Sequence, residues 1–198
     1  MDRIVGDGRA EGVVVDGETL PADLVLVGVG ASPNTALAEE AGLDILNGVL
    51  TDEALRTSAA DVYAAGDIAN AFHPVLQRHL RSEHWANALN AGKVAARSML
   101  GQPASFDDIP YFYTDQYDLG MELSGYAPLM TDAEIVVRGD LDAREFIGFW
   151  TDDGRIVAGM NVNVWDVNDK VQDLIRSGAR IARDRLRDPE VPLEDLIP

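Results

Sequence analysis

The sequence contains no cysteine among its 198 residues. This absence excludes disulfides, thiolate catalysis and cysteine-ligated zinc or iron–sulfur sites within the chain. There is also no uncharged apolar run close to the roughly 18 residues that a membrane-spanning helix needs. The amino terminus lacks the apolar stretch of a secretory signal peptide. We therefore expect no membrane association, and a cytoplasmic location fits the cysteine-free composition.

Basic residues are scarce. Lys plus Arg number 16 against 34 for Asp plus Glu, so the formal net charge is −18. A chain this acidic repels phosphate backbones, and we expect no nucleic-acid partner. The three histidines are not spaced with carboxylates in a way that predicts a metal site. Hydrophobic residues nevertheless make up 46% of the chain, which is enough for a folded core.

The first part of the chain predicts a hairpin, a buried strand and a helix. Residues 12–20 carry an Asp-Gly pair between two apolar arms, which favours a tight turn. Residues 22–28 form a continuous apolar run that is typical of a strand covered on both faces. Ser32 as N-cap and Pro33 at the first position predict a helix to about residue 41, where Gly42 ends it.

The central part predicts two strands and a longer helix. The strands are expected at 49–51 and 61–67, the second ending in a glycine and an aspartate. The helix is expected at about 82–100, because apolar and small residues recur there at helical spacing. The predicted inner face consists of Trp85, Ala88, Leu89, Gly92, Ala95, Ala96, Met99 and Leu100.

Beyond a linker at 101–110, the pattern predicts a small α+β unit with its own core. Strands are expected at 117–123 and 133–138, followed by a hairpin over 145–164. In the second arm of that hairpin, apolar residues alternate with two asparagines, which predicts a half-buried antiparallel strand. A closing helix places Val171, Leu174 and Ile175 on one stripe.

Two glycine-containing segments could bind a ligand. Gly66 and Asp67 end the predicted strand 61–67, where a ligand can approach the backbone and a carboxylate can accept hydrogen bonds from hydroxyls. The residues alone allow Asp67 to be a helix N-cap instead. Gly28 and Gly30 do not complete a GxGxxG pattern, and a tight turn explains them equally well.

Several ordered blocks resemble one known family. Residues 56–69 resemble the second flavin-binding motif of pyridine nucleotide-dependent FAD reductases with two dinucleotide-binding domains. Residues 22–34 resemble the return from the NAD(H)-binding domain to the FAD domain. Residues 78–88 and 110–119 are similar to the helix entrance and the aromatic segment of ferredoxin, rubredoxin and putidaredoxin reductases. The resemblance covers essentially the whole chain.

The resemblance implies an α/β fold, namely the C-terminal portion of a two-dinucleotide-binding-domain flavoprotein followed by a small α+β reductase domain. It implies three parts: 1–43 as the end of the NAD(P)H-binding domain, 44–107 as the C-terminal part of the FAD-binding domain, and 108–198 as the C-terminal reductase and dimerisation domain. The two GxGxxG motifs of the family do not occur here. We therefore expect half of a longer reductase, which binds FAD weakly or not at all by itself and is inactive alone.

The resemblance also implies roles for individual residues. Asp67, after Gly66, is expected to hydrogen-bond the ribityl chain of FAD. Trp85 is expected to lie against the flavin, with the backbone at Ala86 near its pyrimidine edge. Tyr113 takes a place beside the isoalloxazine where relatives usually carry tryptophan, and tyrosine still stacks with less area.

The nicotinamide side is expected to involve Glu83, Gly28 and Gly30. For Glu83, a solvated glutamate in the first helical turn is an equally good explanation. No side chain is expected to act as an acid, base or nucleophile, because the cofactors carry the chemistry.

The implied function is an FAD-dependent NAD(P)H:ferredoxin or rubredoxin reductase. Electrons pass from NAD(P)H through FAD to an iron–sulfur protein, and a homodimer through the C-terminal domain is expected. Two alternatives stay open: a flavoprotein like apoptosis-inducing factor, and a non-catalytic interaction or dimerisation fragment.

Overall fold

The computed structural model describes residues 1–197, which form two compact units, residues 1–32 and residues 33–197. The first unit is an antiparallel sheet of three strands in the order β1-β2-β3. The strands are β1 (Arg3–Val5), β2 (Gly12–Val15) and β3 (Glu18–Pro21).

The predicted hairpin at 12–20 is confirmed by β2 and β3. Asp16 and Gly17 connect the two strands, with φ angles of +50° and +82°. Two left-handed residues in sequence give the tight turn that suits the twist of a two-stranded ribbon. Strand β1, which pairs with β2, was not predicted.

The predicted strand at 22–28 is wrong. This stretch contains neither strand nor helix, and the side chains of Leu24 and Leu26 are 87% and 94% exposed. A buried strand needs neighbours that take up its backbone hydrogen bonds and cover its faces. None of the strands described in the first unit pairs with this segment.

The following helix is shorter than predicted. Helix α1 (Ala36–Glu40) has Thr35 as its N-cap, three residues beyond the expected Ser32. The carbonyl oxygen of Thr35 accepts the first helical hydrogen bond, from the N–H of Glu39 at 2.9 Å. Gly42 has a φ of +75° and ends the helix as predicted.

A mixed three-stranded sheet follows α1 in the second unit. Strand β4 (Val49–Thr51) runs parallel to β5 (Ala69–His73), and β5 pairs antiparallel with β6 (Arg78–Leu80). Helix α2 (Trp85–Met99) follows. A small core joins these elements and consists of Leu55, Ala71, Ala91, Ala95 and Phe106. The predicted strand at 49–51 and the predicted helix are confirmed.

The predicted strand at 61–67 is wrong. Asp61 has a φ of +63°, which breaks an extended backbone. Thr57 closes a tight loop through two hydrogen bonds to the carbonyl oxygen of Val62, from its N–H and from its hydroxyl. A short 3₁₀ helix (Gly66–Ile68) comes next, and the strand begins only at Ala69.

Helix α2 buries a different face from the predicted one. Its buried residues are Ala91, Ala95 and Ser98, and of the predicted inner face only Ala95 is among them. On this face, Ala91 and Ala95 pack with Leu55, Ala71 and Phe106 in the small core. The larger apolar side chains face outward, with Trp85 73% and Leu100 74% exposed.

The remaining chain forms a five-stranded antiparallel sheet in the order β7-β8-β11-β10-β9. The strands are β7 (Tyr111–Gln116), β8 (Leu119–Gly125), β9 (Glu134–Asp140), β10 (Glu145–Asp152) and β11 (Arg155–Val162). The helices are α3 (Ala127–Met130), α4 (Asn168–Ser177), α5 (Arg183–Arg187) and a short 3₁₀ helix (Leu193–Leu196).

The core of this part is one cluster between the sheet and its helices. It contains Ile109, Tyr126, Val136, Ile147, Phe149, Ile156, Val171, Leu174, Ile175, Ile181, Leu186, Leu193 and Leu196. The predicted stripe of α4 is therefore buried as expected. The predicted strand at 133–138 and the hairpin of β10 and β11 are also confirmed.

Two details of this sheet differ from the prediction. The strand expected at 117–123 begins at Leu119, because Tyr117 adopts a left-handed φ of +58° in a turn after the unpredicted β7. Asn161 is only 1% exposed, although the alternation places it on the polar face. Its side chain is buried because it bonds to Glu122 and to the carbonyl oxygen of Val164.

Within residues 1–197, no helix combines the length and apolar character needed to cross a bilayer.

Candidate functional site

A groove of about 500 Å³ lies between the start of α2 and strand β7. One wall is formed by Glu83, His84, Trp85 and Ala86, and the other by residues 111–115. Small-molecule sites in proteins are commonly about 300–1,000 Å³ in volume. The groove is therefore large enough for a ring system.

The amino terminus of α2 opens into this groove without a side-chain cap. His84 is the N-cap, in an extended conformation, and its side chain makes no capping hydrogen bond. The first N–H groups of an α-helix have no acceptor within the helix, and this end carries the positive end of the helix dipole. The first turn therefore offers N–H donors to an acceptor in the groove.

Aromatic rings cover both walls of the groove. Trp85 is 73% and Tyr113 59% exposed, so each presents a ring face to solvent. Tyr111 lies deeper, and its ring centroid is 6.3 Å from that of Tyr113. Flat aromatic ligands stack on such rings, which supply contact area with few rotatable bonds.

Tyr111 is held as a hydrogen-bond donor. Its hydroxyl donates to Oε1 of Glu122 at 2.8 Å. Burial, and then this hydrogen bond, raise the pKa of Tyr111 to about 12. The hydroxyl consequently stays protonated, and a donor to Glu122, into alkaline pH where an ordinary tyrosine would already ionise. Neither Glu122 nor its role was predicted from the sequence.

Arg81 connects two of the predicted site residues. Its Nη1 donates to the carbonyl oxygen of Asp67 at 3.2 Å and to Oε1 of Glu83 at 2.6 Å. Arg81 thereby ties the Gly66–Ile68 turn to the chain that enters α2. Arg81 lies inside the 78–88 block that resembles the family, but no role for it was predicted, because an arginine two residues before an acidic residue is too common a pattern to indicate one.

The predicted site residues of the second unit lie in two places, the groove and the Gly66–Asp67 turn, which Arg81 connects. Glu83, Trp85, Ala86 and Tyr113 line the groove. Gly66, with a φ of +76°, and the exposed Asp67 lie in the turn that Arg81 joins to Glu83.

The alternative roles of Asp67 and Glu83 are not observed. Ala65, and not Asp67, occupies the N-cap position of the short 3₁₀ helix. Helix α2 begins at Trp85, so Glu83 precedes its first turn.

Gly28 and Gly30 belong to the first unit, and they lie exposed outside its strands. Gly30 has a φ of +94°, which is the backbone conformation that a turn requires. Their contact with a nicotinamide stays a prediction.

Comparison with known families explains this arrangement. Residues 1–92 match the family described as Pyridine nucleotide-disulphide oxidoreductase, and residues 111–197 match the family described as Reductase C-terminal. The predicted resemblance to the pyridine nucleotide-disulphide oxidoreductase family is confirmed for residues 1–92. The expected α/β fold with a small C-terminal reductase domain is thus confirmed.

Two curated relatives are ferredoxin reductases. The chain is 37% identical, over all of its length, to the anthranilate 1,2-dioxygenase system ferredoxin–NAD(+) reductase component of Burkholderia cepacia, of which it covers 49%. It is 39% identical, over 95% of its length, to the 5,5'-dehydrodivanillate O-demethylase ferredoxin reductase subunit of Sphingobium sp., of which it covers 46%. The chain spans about half the length of the curated relatives that it matches.

Solved structures show the same relationship. A ferredoxin reductase from Rhodopseudomonas palustris has a TM-score of 0.90 at 29% identity, and the match covers 98% of this chain and 48% of that one. The covalent putidaredoxin reductase–putidaredoxin complex has a TM-score of 0.87 at 30% identity, with 98% and 48% covered.

Proposed function

We propose that this chain works as part of an FAD-dependent NAD(P)H reductase that passes electrons to a ferredoxin-type iron–sulfur protein. The observation that carries the proposal is the aromatic-lined groove at the uncapped amino terminus of α2. The names of the ferredoxin reductase relatives support the reaction class. The structural similarity to putidaredoxin reductase supports an iron–sulfur partner.

The groove residues fit the flavin ring of FAD. Trp85 and Tyr113 offer exposed aromatic faces, and the backbone at Ala86 offers a first-turn N–H to a ring carbonyl. The dipole of α2 stabilises negative charge at that end of a ligand. When bound, FAD accepts a hydride from NAD(P)H and releases single electrons. The residues of this chain orient the ring and shield it from water.

The turn at Gly66 and Asp67 fits a polyhydroxylated chain. The carboxylate of Asp67 is exposed and can accept hydrogen bonds from ribityl hydroxyls. Arg81 fixes the backbone of this turn through the Asp67 carbonyl oxygen. Two buried atoms beside it, Nε of Arg81 and Oγ of Ser82, have no hydrogen-bond partner within residues 1–197.

The nicotinamide side, the assembly and the location are part of the same proposal. Within the second unit, Glu83 contacts NAD(P)H at the groove. Gly28 and Gly30 are retained as NAD(P)H-binding residues of the first unit. Residues 108–197 form a homodimer, and the exposure of Ile135 on the edge strand β9 supports this part of the proposal. The protein works in the cytoplasm, in keeping with a chain that has no cysteine.

The proposal is tested by titrating FAD into the purified chain and following flavin fluorescence. We expect weak but saturable quenching, because Trp85 and Tyr113 contact the ring. Trp85→Ala should weaken binding by about tenfold, the effect of losing an aromatic contact of roughly 1.4 kcal/mol. Tyr117→Ala is the matched control, since Tyr117 is fully exposed and lies outside the groove.

Equal affinities of the wild type and Trp85→Ala would place FAD elsewhere on the chain. No binding at all would show that the groove of this chain does not suffice. A chain that retains FAD is then mixed with NADH and with NADPH, and bleaching of the flavin bands identifies the electron donor.

A further inference from the structure

Three adjacent strands carry a hydrogen-bonded series of polar side chains that ends at the groove. Glu122 on β8 lies opposite Tyr113 on β7 and opposite Asn161 on β11. The Tyr111 hydroxyl donates to Oε1 of Glu122, and Nδ2 of Asn161 donates to Oε2, each at 2.8 Å. Both carboxylate oxygens of Glu122 therefore accept a hydrogen bond, and these two bonds favour one orientation of the carboxylate.

Asn161 has one favoured orientation as well. It is 1% exposed, and its Nδ2 also donates to the carbonyl oxygen of Val164 at 2.7 Å. Both amide hydrogens are thus in use. If the amide were turned over, its oxygen would face two acceptors. The cost of the observed orientation is that Oδ1 of Asn161 is buried without a partner within residues 1–197.

The sheet does not need this polar series for its register. The ladder between β8 and β11 pairs residues 121–125 with 158–162 through the backbone. A second contact outside the series, from the N–H of Gly120 to Oδ1 of Asn163 at 2.8 Å, joins the same region. An apolar residue in place of Asn161 would avoid the unpaired oxygen. The series ends at Tyr111, whose ring lines the groove. This position indicates that the series serves to orient that ring.

We propose that Glu122 and Asn161 are positioning residues for the flavin groove. Asn161 orients the carboxylate of Glu122, and Glu122 holds the ring of Tyr111 at one angle in the wall of the groove. This inference rests on the proposed function for the identity of the ligand, a flat isoalloxazine ring. The hydrogen-bonded series itself is a property of the chain and can be tested without any ligand.

The first experiment uses tyrosine-labelled chain and aromatic-ring NMR. The chain has five tyrosines, and the spectrum of Tyr111→Phe identifies the Tyr111 signal. The fully exposed Tyr117 supplies an internal reference for a free ring. We expect a dispersed Tyr111 signal in the wild type and in Glu122→Gln, which keeps an acceptor. In Glu122→Ala and Asn161→Leu, the signal should shift toward that of Tyr117.

Glu145→Ala is the matched control, because Glu145 is an exposed glutamate on another strand of the same sheet. An unchanged Tyr111 signal in both Glu122→Ala and Asn161→Leu, with the remaining spectrum intact, would overturn the proposal. If Asn161→Leu fails to fold, Glu122→Ala and Glu122→Gln still decide between the two outcomes.

The second experiment repeats the FAD titration with the same variants. Glu122→Ala should weaken FAD binding by about tenfold and Glu122→Gln by about twofold or less, because alanine removes the acceptor of the Tyr111 hydroxyl whereas the neutral amide oxygen of glutamine still accepts from it. A Tyr111 signal that shifts while FAD affinity stays constant would refute the role at the groove. If the wild type binds no FAD, the proposed function fails for this chain, whereas the NMR result still decides whether Glu122 positions Tyr111.

Discussion

His84 stacks on Phe112, with ring centroids 4.8 Å apart and an interplanar angle of 9°. His84 is the N-cap of α2, and Phe112 lies in β7, so this aromatic pair joins the two walls of the groove. The width of the groove depends on this contact, because both residues also line it.

Phe112→Ala should therefore loosen the groove and lower stability together. Phe112 is half-buried, so we expect a loss of about 2 kcal/mol of unfolding free energy, less than for a fully buried phenylalanine. FAD affinity should fall as the α2 terminus moves away from β7. Urea denaturation and the FAD titration measure the two effects. A variant with normal stability and normal affinity would show that the stack does not hold the groove together.

Arg138 fastens the last part of the chain to the sheet. It is 9% exposed, and its Nη2 donates to the carbonyl oxygens of Val191 at 2.5 Å and Pro189 at 3.3 Å. Arg138→Met should cost about 1–3 kcal/mol, since two carbonyl oxygens lose a charged donor. Arg155→Met, at an exposed arginine of the same sheet, should be nearly neutral. Urea denaturation compares them, and equal midpoints would contradict this role.

Stability should fall as the pH rises from 10 to 12. The pKa of Tyr111 is raised from 10.0 to about 12, mainly by burial and then by its hydrogen bond to Glu122. Between these values the unfolded chain loses the phenol proton while the folded chain keeps it, so unfolding is favoured. Tyr111→Phe removes this contribution and should show a shallower decline in the urea midpoint over pH 9–12. A wild-type Tyr111 that titrates near pH 10 by ultraviolet absorbance would contradict the assignment.

Arg81→Met should weaken FAD binding by about tenfold, the effect expected from losing a charged donor to the Asp67 carbonyl oxygen. The same change also frees the carboxylate of Glu83. Arg56→Met is the matched control, because Arg56 is an exposed arginine whose ion pair with Asp52 lies away from the groove. FAD fluorescence titration compares the two variants. Identical affinities would remove Arg81 from the site.

Sequence reasoning succeeded where neighbouring residues decide the structure. The turn at Asp16 and Gly17 carries its own conformational preference, and the stripe of Val171, Leu174 and Ile175 shows its periodicity directly. The four groove residues among the predicted sites came from the resemblance to a family, because no spacing or charge pattern singles out a residue such as Tyr113.

Sequence reasoning failed where distant contacts decide. The run at 22–28 has the composition of a buried strand, but a strand also needs a pairing neighbour, which composition does not reveal. For α2, the predicted face included Trp85 and Leu89, whereas the structure buries Ala91, Ala95 and Ser98, because a hydrophobic pattern favours large apolar side chains over alanine and serine. Asn161 is buried with its hydrogen-bond partners, Glu122 on β8 and the carbonyl oxygen of Val164 beyond the end of β11. The alternation of residues within one strand does not reveal such partners.

The exposed apolar stretch around Leu24, Leu26 and Val29 also affects how the chain behaves in solution. An extended apolar segment with unpaired backbone groups is a template on which another molecule can add a strand. The net charge of −18 opposes such encounters through mutual repulsion. Salt screens this repulsion, because the Debye length shrinks from about 30 Å at 0.01 M to about 3 Å at 1 M ionic strength. Colloidal stability should consequently be highest in dilute buffer, and aggregation should set in as salt is added.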